Sequence, residues 1–370
     1  MRHWRWAVVA GAIALACSIP VVSANWPVAA PRVDLELLRT RVAASAEVPF
    51  EGLYRSRGGL RLPDLGRLDD EVAPFRETVR VRVWYAAPDR WRADELLVGG
   101  ERGTYREPGN LILWDSGRRR VIVSPRADPD LEPARLPRLM DLSPPELGRR
   151  LLLESDDDRV SALPARRVAG RAAAGIRIVP ESAVSTIRAV NLWADPTTGV
   201  VLKVELDTGA SAPVLETEFV TVHLRSPDPD VVAFDDADGR ADVETRSTVD
   251  PIETIGNTRL LALPDSLAGL PRRNDPEAGL ATYGEGMAVV TLLAVPRGAL
   301  GRRIDALPRA ERVWGGQAAL IETSLVNAQL ARIGGLEVVL AGTVTVAELD
   351  RIAGELVAAV GPAALVGGTP

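Results

Sequence analysis

Valine and arginine alternate along Thr78-Val-Arg-Val-Arg-Val-Trp-Tyr85, so a strand there presents one apolar and one polar face. A second stretch, Asn191-Leu-Trp-Ala-Asp-Pro-Thr-Thr-Gly-Val-Val-Leu-Lys-Val-Glu-Leu206, predicts a hairpin with its turn spelled out. Asp195 opens the turn, Pro196 presets the next φ, and Gly199 can take the left-handed conformation that closes it. The two stretches predict an antiparallel sheet whose apolar face needs a cover, whether helices, a lipid or a partner protein.

The same patterning predicts a helix over 34–46, with Leu35, Leu38 and Val42 on one stripe, and a strand over 50–54. Residues 58–73 read as a loop marked by Gly and Pro. Strands follow at 78–85 and 91–97, then a turn at Gly99-Gly100, and short strands at 111–115 and 120–124. Ser143, Pro144 and Glu146 form a capping-box start for a helix ending near Glu154. Strands at 165–170, 174–180, 186–194, 200–207 and 214–224 complete a first domain, residues 31–235. A polar, acidic linker is expected over 236–275, followed by a small C-terminal α+β domain over 276–360. That domain is expected to hold strands at 287–295, 312–323 and 337–343, a helix at 298–307, and a closing helix from Val346. Eleven of the sixteen aromatic residues fall in 31–235, which assigns the heavier core to the first domain.

The N-terminus sets the compartment. Arg2 and Arg5 precede a charge-free run from Trp6 to Ala24, and Val22-Ser-Ala24 offers small residues for cleavage. Residues 1–24 thus read as an export signal. The run of 19 residues is also long enough to stay as an uncleaved anchor. Cys17, the single cysteine, follows Ala14-Leu-Ala16 and partly matches a lipoprotein attachment box, a third fate for the leader. Beyond the leader there is no thiol, which excludes disulfides, zinc–thiolate centres and cysteine catalysis. A net charge of −6 argues against nucleic acid as a partner, because that binding depends on neutralising phosphates.

Little in the chain points to catalysis. His223 is the one histidine beyond the leader, and no serine or acid motif frames it. No Gly-x-Ser-x-Gly elbow, Walker loop, dinucleotide fingerprint or Ser-x-x-Lys occurs. The acid clusters Asp128-Pro-Asp130, Asp156-Asp-Asp158, Asp228-Pro-Asp230 and Asp235-Asp236 lie in turn-rich stretches and match no calcium-loop spacing. No catalytic residue, cofactor or metal site is expected. Trp84, Trp91, Trp114 and Trp193 fall on predicted strands, where indoles either pack a core or line a cavity.

The order of the motifs resembles a known family. Phe50-Glu-Gly-Leu-Tyr54, Trp84-Tyr-Ala-Ala-Pro-Asp-Arg-Trp-Arg92, Trp114-Asp-Ser-Gly117, Val168-Ala-Gly-Arg171 and the hairpin Leu192–Leu206 carry the likeness. It is to the superfamily of the periplasmic lipoprotein carrier LolA and the sigma-E regulatory protein RseB, also called MucB. The resemblance covers residues 33–235 and implies an α+β fold, an unclosed antiparallel β half-barrel with helices across its apolar concave face. LolA-like carriers hold lipoprotein acyl chains on that face. RseB-like members add a smaller second domain and bind the extracytoplasmic part of an anti-sigma factor. The extra C-terminal domain places this chain on the RseB-like side.

The resemblance thus implies a periplasmic or cell-envelope protein without enzymatic activity. It would sense lipid-like ligands and bind an anti-sigma factor or another membrane-anchored regulator; the alternative is a LolA-like carrier of lipid or lipoprotein. Strand alternation names the cavity wall as Val79, Val81, Val83 and Tyr85, Leu113 and Ile122 from the next hairpin, and Val190 and Leu192. A one-residue register error would turn each of these strands inside out.

Overall fold

In the computed structural model of the chain, the described residues are 33–63, 69–125, 138–156, 158–235, 241–246, 263–273, 280–296, 307, 309–312, 314, 316–333 and 336–364. The larger sheet starts with β1 (Phe50–Gly58) and runs through β2 (Thr78–Ala87), β3 (Arg90–Leu97), β4 (Gly100–Glu107), β5 (Asn110–Asp115) and β6 (Arg120–Pro125). A second run follows: β7 (Arg159–Val168), β8 (Arg171–Val179), β9 (Ala189–Ala194), β10 (Val201–Asp207) and β11 (Leu215–His223). β11 pairs antiparallel with β1 and joins the two runs, while β12 (Asp242–Thr245) adds a parallel edge beside β6. The order across the sheet is β12-β6-β5-β4-β3-β2-β1-β11-β10-β9-β8-β7. Its edges do not pair with each other, so the sheet is an unclosed half-barrel.

Helices cover one face. In α1 (Leu35–Ala44), the Asp34 carboxylate caps the helix by accepting from the amides of Glu36 and Leu37 at 3.0 and 3.2 Å. Its apolar stripe buries Leu38 and Val42. A short α2 (Asp69–Arg76) follows β1. The expected capping box at α3 (Pro144–Leu153) does not form: Ser143 occupies the N-cap position, but its hydroxyl makes no cap hydrogen bond. Pro144, with φ already helical, opens the helix instead. Gly148 lets α3 lie close on β10, since a Cβ there would stand 2.7 Å from Cγ1 of Val201. Under α1 and α3 lies a cluster that includes Leu147, Leu152, Ile176, Ile178, Leu192 and Val204. A single turn, α4 (Pro229–Val232), is capped by the Asp228 carboxylate, so that acid pair has a structural use.

A two-residue pair, β13 (Ser266–Leu267) and β14 (Leu270–Pro271), precedes the smaller sheet. That sheet consists of β15 (Leu280–Glu285), β16 (Ala288–Pro296), β17 (Arg309–Arg312), β18 (Gly316–Ile321), β19 (Asn327–Ile333) and β20 (Leu336–Gly342). Its order is β15-β16-β20-β19-β18-β17, and α5 (Val346–Ala364) buries Leu349, Ile352, Ala353 and Leu356 in its core.

The two sheets are stitched together. The Thr186 amide donates to the Thr343 carbonyl at 3.0 Å, and the Thr345 amide donates to the Val184 carbonyl at 2.9 Å. Met287 and Leu325, beside strands of the smaller sheet, are buried in the cluster under α3.

Several elements differ from expectation. β4 and β19 turn polar side chains inward and so lack a strand's apolar alternation, and the residues expected as a loop over 58–73 include the start of α2. Residues 242–245 and 266–271, expected in a linker, form β12, β13 and β14. The helix expected over 298–307 lies outside the described residues except for Leu307.

Candidate functional site

The inner, helix-facing side of the half-barrel is fixed by strand register. Val79, Val81, Val83 and Tyr85 stand opposite Ser56, Tyr54, Gly52 and Phe50 of β1. From Val83 a single row crosses β3 to β6 through Ala93, Thr104, Leu113 and Ile122. In the other direction, Ser56 faces Thr217, Thr217 faces Val204, and Val204 faces Leu192. Alternation within β9 brings Val190 to the same side. The eight residues expected to form a wall therefore share one face.

They do not share one environment. Val81, Val83, Val190 and Leu192 are fully buried, and Val79 and Tyr85 nearly so. Met140 and Leu139 pack over the β1–β2 region, where the Tyr54 hydroxyl donates to the Leu139 carbonyl and the Tyr85 hydroxyl to that of Ala46. Phe50 stacks on Tyr85 with ring centroids 5.0 Å apart. Val190 and Leu192 lie in the cluster beneath α1 and α3. Six of the eight are thus packed by the protein itself. Leu113 and Ile122 differ: both are half-buried and belong to no core cluster of the described residues.

The inner face also bears polar groups that alternation did not flag. Glu95 pairs with Arg102 at 3.5 Å. Burial first, then the nearby acids Asp141 and Glu95, push the Tyr54 hydroxyl well above its ordinary range, so it stays a donor. The hydroxyls of Ser56 and Thr217 are buried with no hydrogen-bond partner among the described residues. Arg106, between Trp91 and Leu111 in the next row, is only 4% exposed. On β4 the inward positions are Arg102, Thr104 and Arg106, which leave no apolar periodicity to read.

The outer face is a charged lattice. The Lys203 ammonium lies 3.1, 2.8 and 3.1 Å from Glu205, Glu216 and Glu218. Burial opposes its charge, but hydrogen bonding to Glu216 and the charge of Glu218 prevail and raise its pKa. Of the four singled-out tryptophans, Trp91 faces inward, opposite Tyr85. Trp193 lies outward under the Arg166 guanidinium at 4.4 Å, and its Nε1 donates to the Pro164 carbonyl. Trp84 sits beneath Arg92 at 4.9 Å, and Trp114 packs near Phe234. His223 is exposed, opposite Glu51. Among the described residues no group of three or more His, Cys, Asp or Glu could hold a metal ion, and no helix is long and apolar enough to cross a membrane.

No family model and no curated protein matches this chain. Among solved structures, it is similar to MucB in the Pseudomonas aeruginosa MucA/MucB complex, at 18% identity and a TM-score of 0.48, over 85% of this chain and 95% of that one. MucB in complex with MucA(peri) gives 18% identity and a TM-score of 0.48, over 86% and 97% of the two chains. The LolA superfamily protein NE2245 from Nitrosomonas europaea gives 11% identity and a TM-score of 0.23, over 55% of this chain and 98% of that one.

Proposed function

We propose that this chain is a non-enzymatic binding protein acting outside the cytoplasmic membrane. The inner face of its half-barrel takes a lipid-like ligand, and the two-sheet body, read as two domains, engages a membrane-anchored regulator of the anti-sigma-factor kind. The observation that carries the ligand reading is the division of the inner face. Helices pack over β8–β10, whereas Leu113 and Ile122, facing each other on β5 and β6, stay half-buried in a row continuous with the Val83 core. A strip of that kind can bury an acyl chain at about 0.8 kcal/mol per CH₂. The compartment rests on the leader over residues 1–24 and the regulator on the motif order over 33–235.

Native mass spectrometry of the purified protein, with binding to the extracytoplasmic segment of a genetically adjacent anti-sigma factor measured alongside, tests both parts. Stoichiometric acyl adducts together with affinity for the segment are expected. Adducts without that affinity would favour the carrier alternative, and a clean apo mass with no affinity would end the reading.

A further inference from the structure

Six charged residues are buried among the described residues: Asp94, Arg106, Asp195, Lys203, Glu337 and Glu348. Five have an opposite charge within reach. Asp94 pairs with Arg92, Asp195 with Arg171, Glu337 with Arg332, Glu348 with Arg351, and Lys203 with three glutamates. Arg106 has none among the described residues, and its Nη1 has no hydrogen-bond partner there either. An arginine cannot shed its proton to escape such a site, so the charge stays, and no carboxylate among the described residues offsets its desolvation.

The position of that charge narrows what could compensate it. Register places Arg106 on the inner face, with Trp91 and Leu111 as cross-strand neighbours and Ser124 beyond Leu111. One row further lies the half-buried Leu113–Ile122 pair. A planar guanidinium fork beside apolar side chains suits a carboxylate or phosphate, which it can bind through two parallel N–H···O bonds. A hydrocarbon tail attached to that anion would lie on Leu113 and Ile122. The negative charge would then come from the ligand.

We infer that Arg106 is an anion-recognising residue of the inner face, and that the ligand taken there is an acidic amphiphile, an oxyanion head group carrying a hydrocarbon chain. The inference rests on the reading of the inner face as a ligand surface, and sharpens it.

The test compares dodecyl phosphate, dodecanol and inorganic phosphate by calorimetric titration into the purified protein, with quenching of Trp91 fluorescence as a second signal. The wild type should prefer dodecyl phosphate over dodecanol by about 10- to 100-fold, the range of charge-assisted hydrogen bonds. Arg106→Met should bind dodecanol as the wild type does and lose the preference. Its thermal midpoint should hold or rise, because a buried unpaired charge is replaced by an apolar chain of similar length. Arg106→Lys, which keeps the charge without the fork, should retain part of the preference, and it serves where the Met variant fails to fold. Equal affinity for the two amphiphiles in the wild type, or an undiminished preference in either variant, would overturn the inference while leaving the inner-face reading intact. Inorganic phosphate binding as tightly as dodecyl phosphate would overturn the amphiphile and leave a site for a free anion. If neither dodecyl compound bound, the inner-face reading would fall and this inference with it.

Discussion

Gly199 lies directly against the backbone of Arg41: a Cβ at position 199 would stand 2.1 Å from the Arg41 carbonyl oxygen. The residue has φ +76°, so its lack of a side chain serves both the turn and the contact. Arg41 also reaches back, with Nη1 donating to the Pro196 carbonyl at 2.5 Å. The β9–β10 turn is therefore the seat on which the C-terminal end of α1 rests. Gly199→Ala should cost about 2–5 kcal/mol from left-handed strain plus the clash. Gly209→Ala separates the two terms, since Gly209 has φ +88° but its nearest atom, Cγ of Arg188, is 3.5 Å away. It should cost only the strain, about 1–2 kcal/mol. Urea midpoints of the two variants would check this, and equal losses would refute the seating of α1.

Asp195 holds the same turn electrostatically. Its Oδ1 accepts from the amides of Thr197 and Thr198 at 3.0 Å, and its Oδ2 from Arg171 at 2.8 Å. Burial works against its ionisation, but the bonds from Thr198, Arg171 and Thr197 prevail and hold the carboxyl below its usual range. A depressed folded value means the stabilisation is present above the unfolded pKa of about 3.9 and is lost as pH falls through the folded value. Asp195→Asn should thus be less stable than wild type at neutral pH, with the gap narrowing as pH drops below about 4. Denaturation midpoints taken from neutral to acid pH decide it, and a gap constant throughout would remove Asp195 from the linkage.

Parts of the fold were readable wherever buried positions are apolar. The Val-Arg alternation of β2 and the Asp195–Gly199 turn announced strand and bend, and in the register Val79, Val81, Val83 and Tyr85 stand opposite Ser56, Tyr54, Gly52 and Phe50. β4 and β19 stayed silent for a common reason. In β19 the inward positions include Asn327 and Gln329, whose amides are consumed by the Val344 carbonyl, Trp314 and Asp350. In β4 they are Arg102, Thr104 and Arg106. Period-2 reading detects hydrophobicity, and where a strand turns polar side chains inward it has nothing to detect. The same blind spot hid Arg106. Alternation could assign residues to a face, but it could not tell which of them the helices cover.

That distinction decides which substitution reports on binding. Val81 is fully buried among Tyr54, Val83 and Tyr85, so Val81→Asp places a charge in the core and should unfold the half-barrel. Leu113 is half-buried outside the core clusters. Leu113→Asp should cost no more than about 2 kcal/mol of stability, yet abolish acyl-ligand uptake. Circular dichroism paired with native mass spectrometry of both variants tests the contrast. A folded Leu113→Asp that still carried an acyl chain would remove β5 from the ligand surface.

The junction between the sheets makes a last prediction about cooperativity. Ser185 bridges to Val344, the Thr186 hydroxyl donates to the Leu325 carbonyl at 2.5 Å, and Met287 is 3% exposed within the cluster under α3. Met287 thus belongs in sequence to the smaller sheet and in packing to the larger. Truncating it leaves a cavity that both must share, so Met287→Ala should cost about 2–5 kcal/mol. Thermal unfolding followed by calorimetry should show one transition in the wild type, displaced as a whole in the variant. Loops and linkers alone would let each sheet melt by itself, whereas strand-like bonds at Val184–Thr186 and a shared apolar cluster penalise opening one sheet while the other stands. Two transitions in the wild type, with Met287→Ala moving only the lower one, would show that the junction does not couple them.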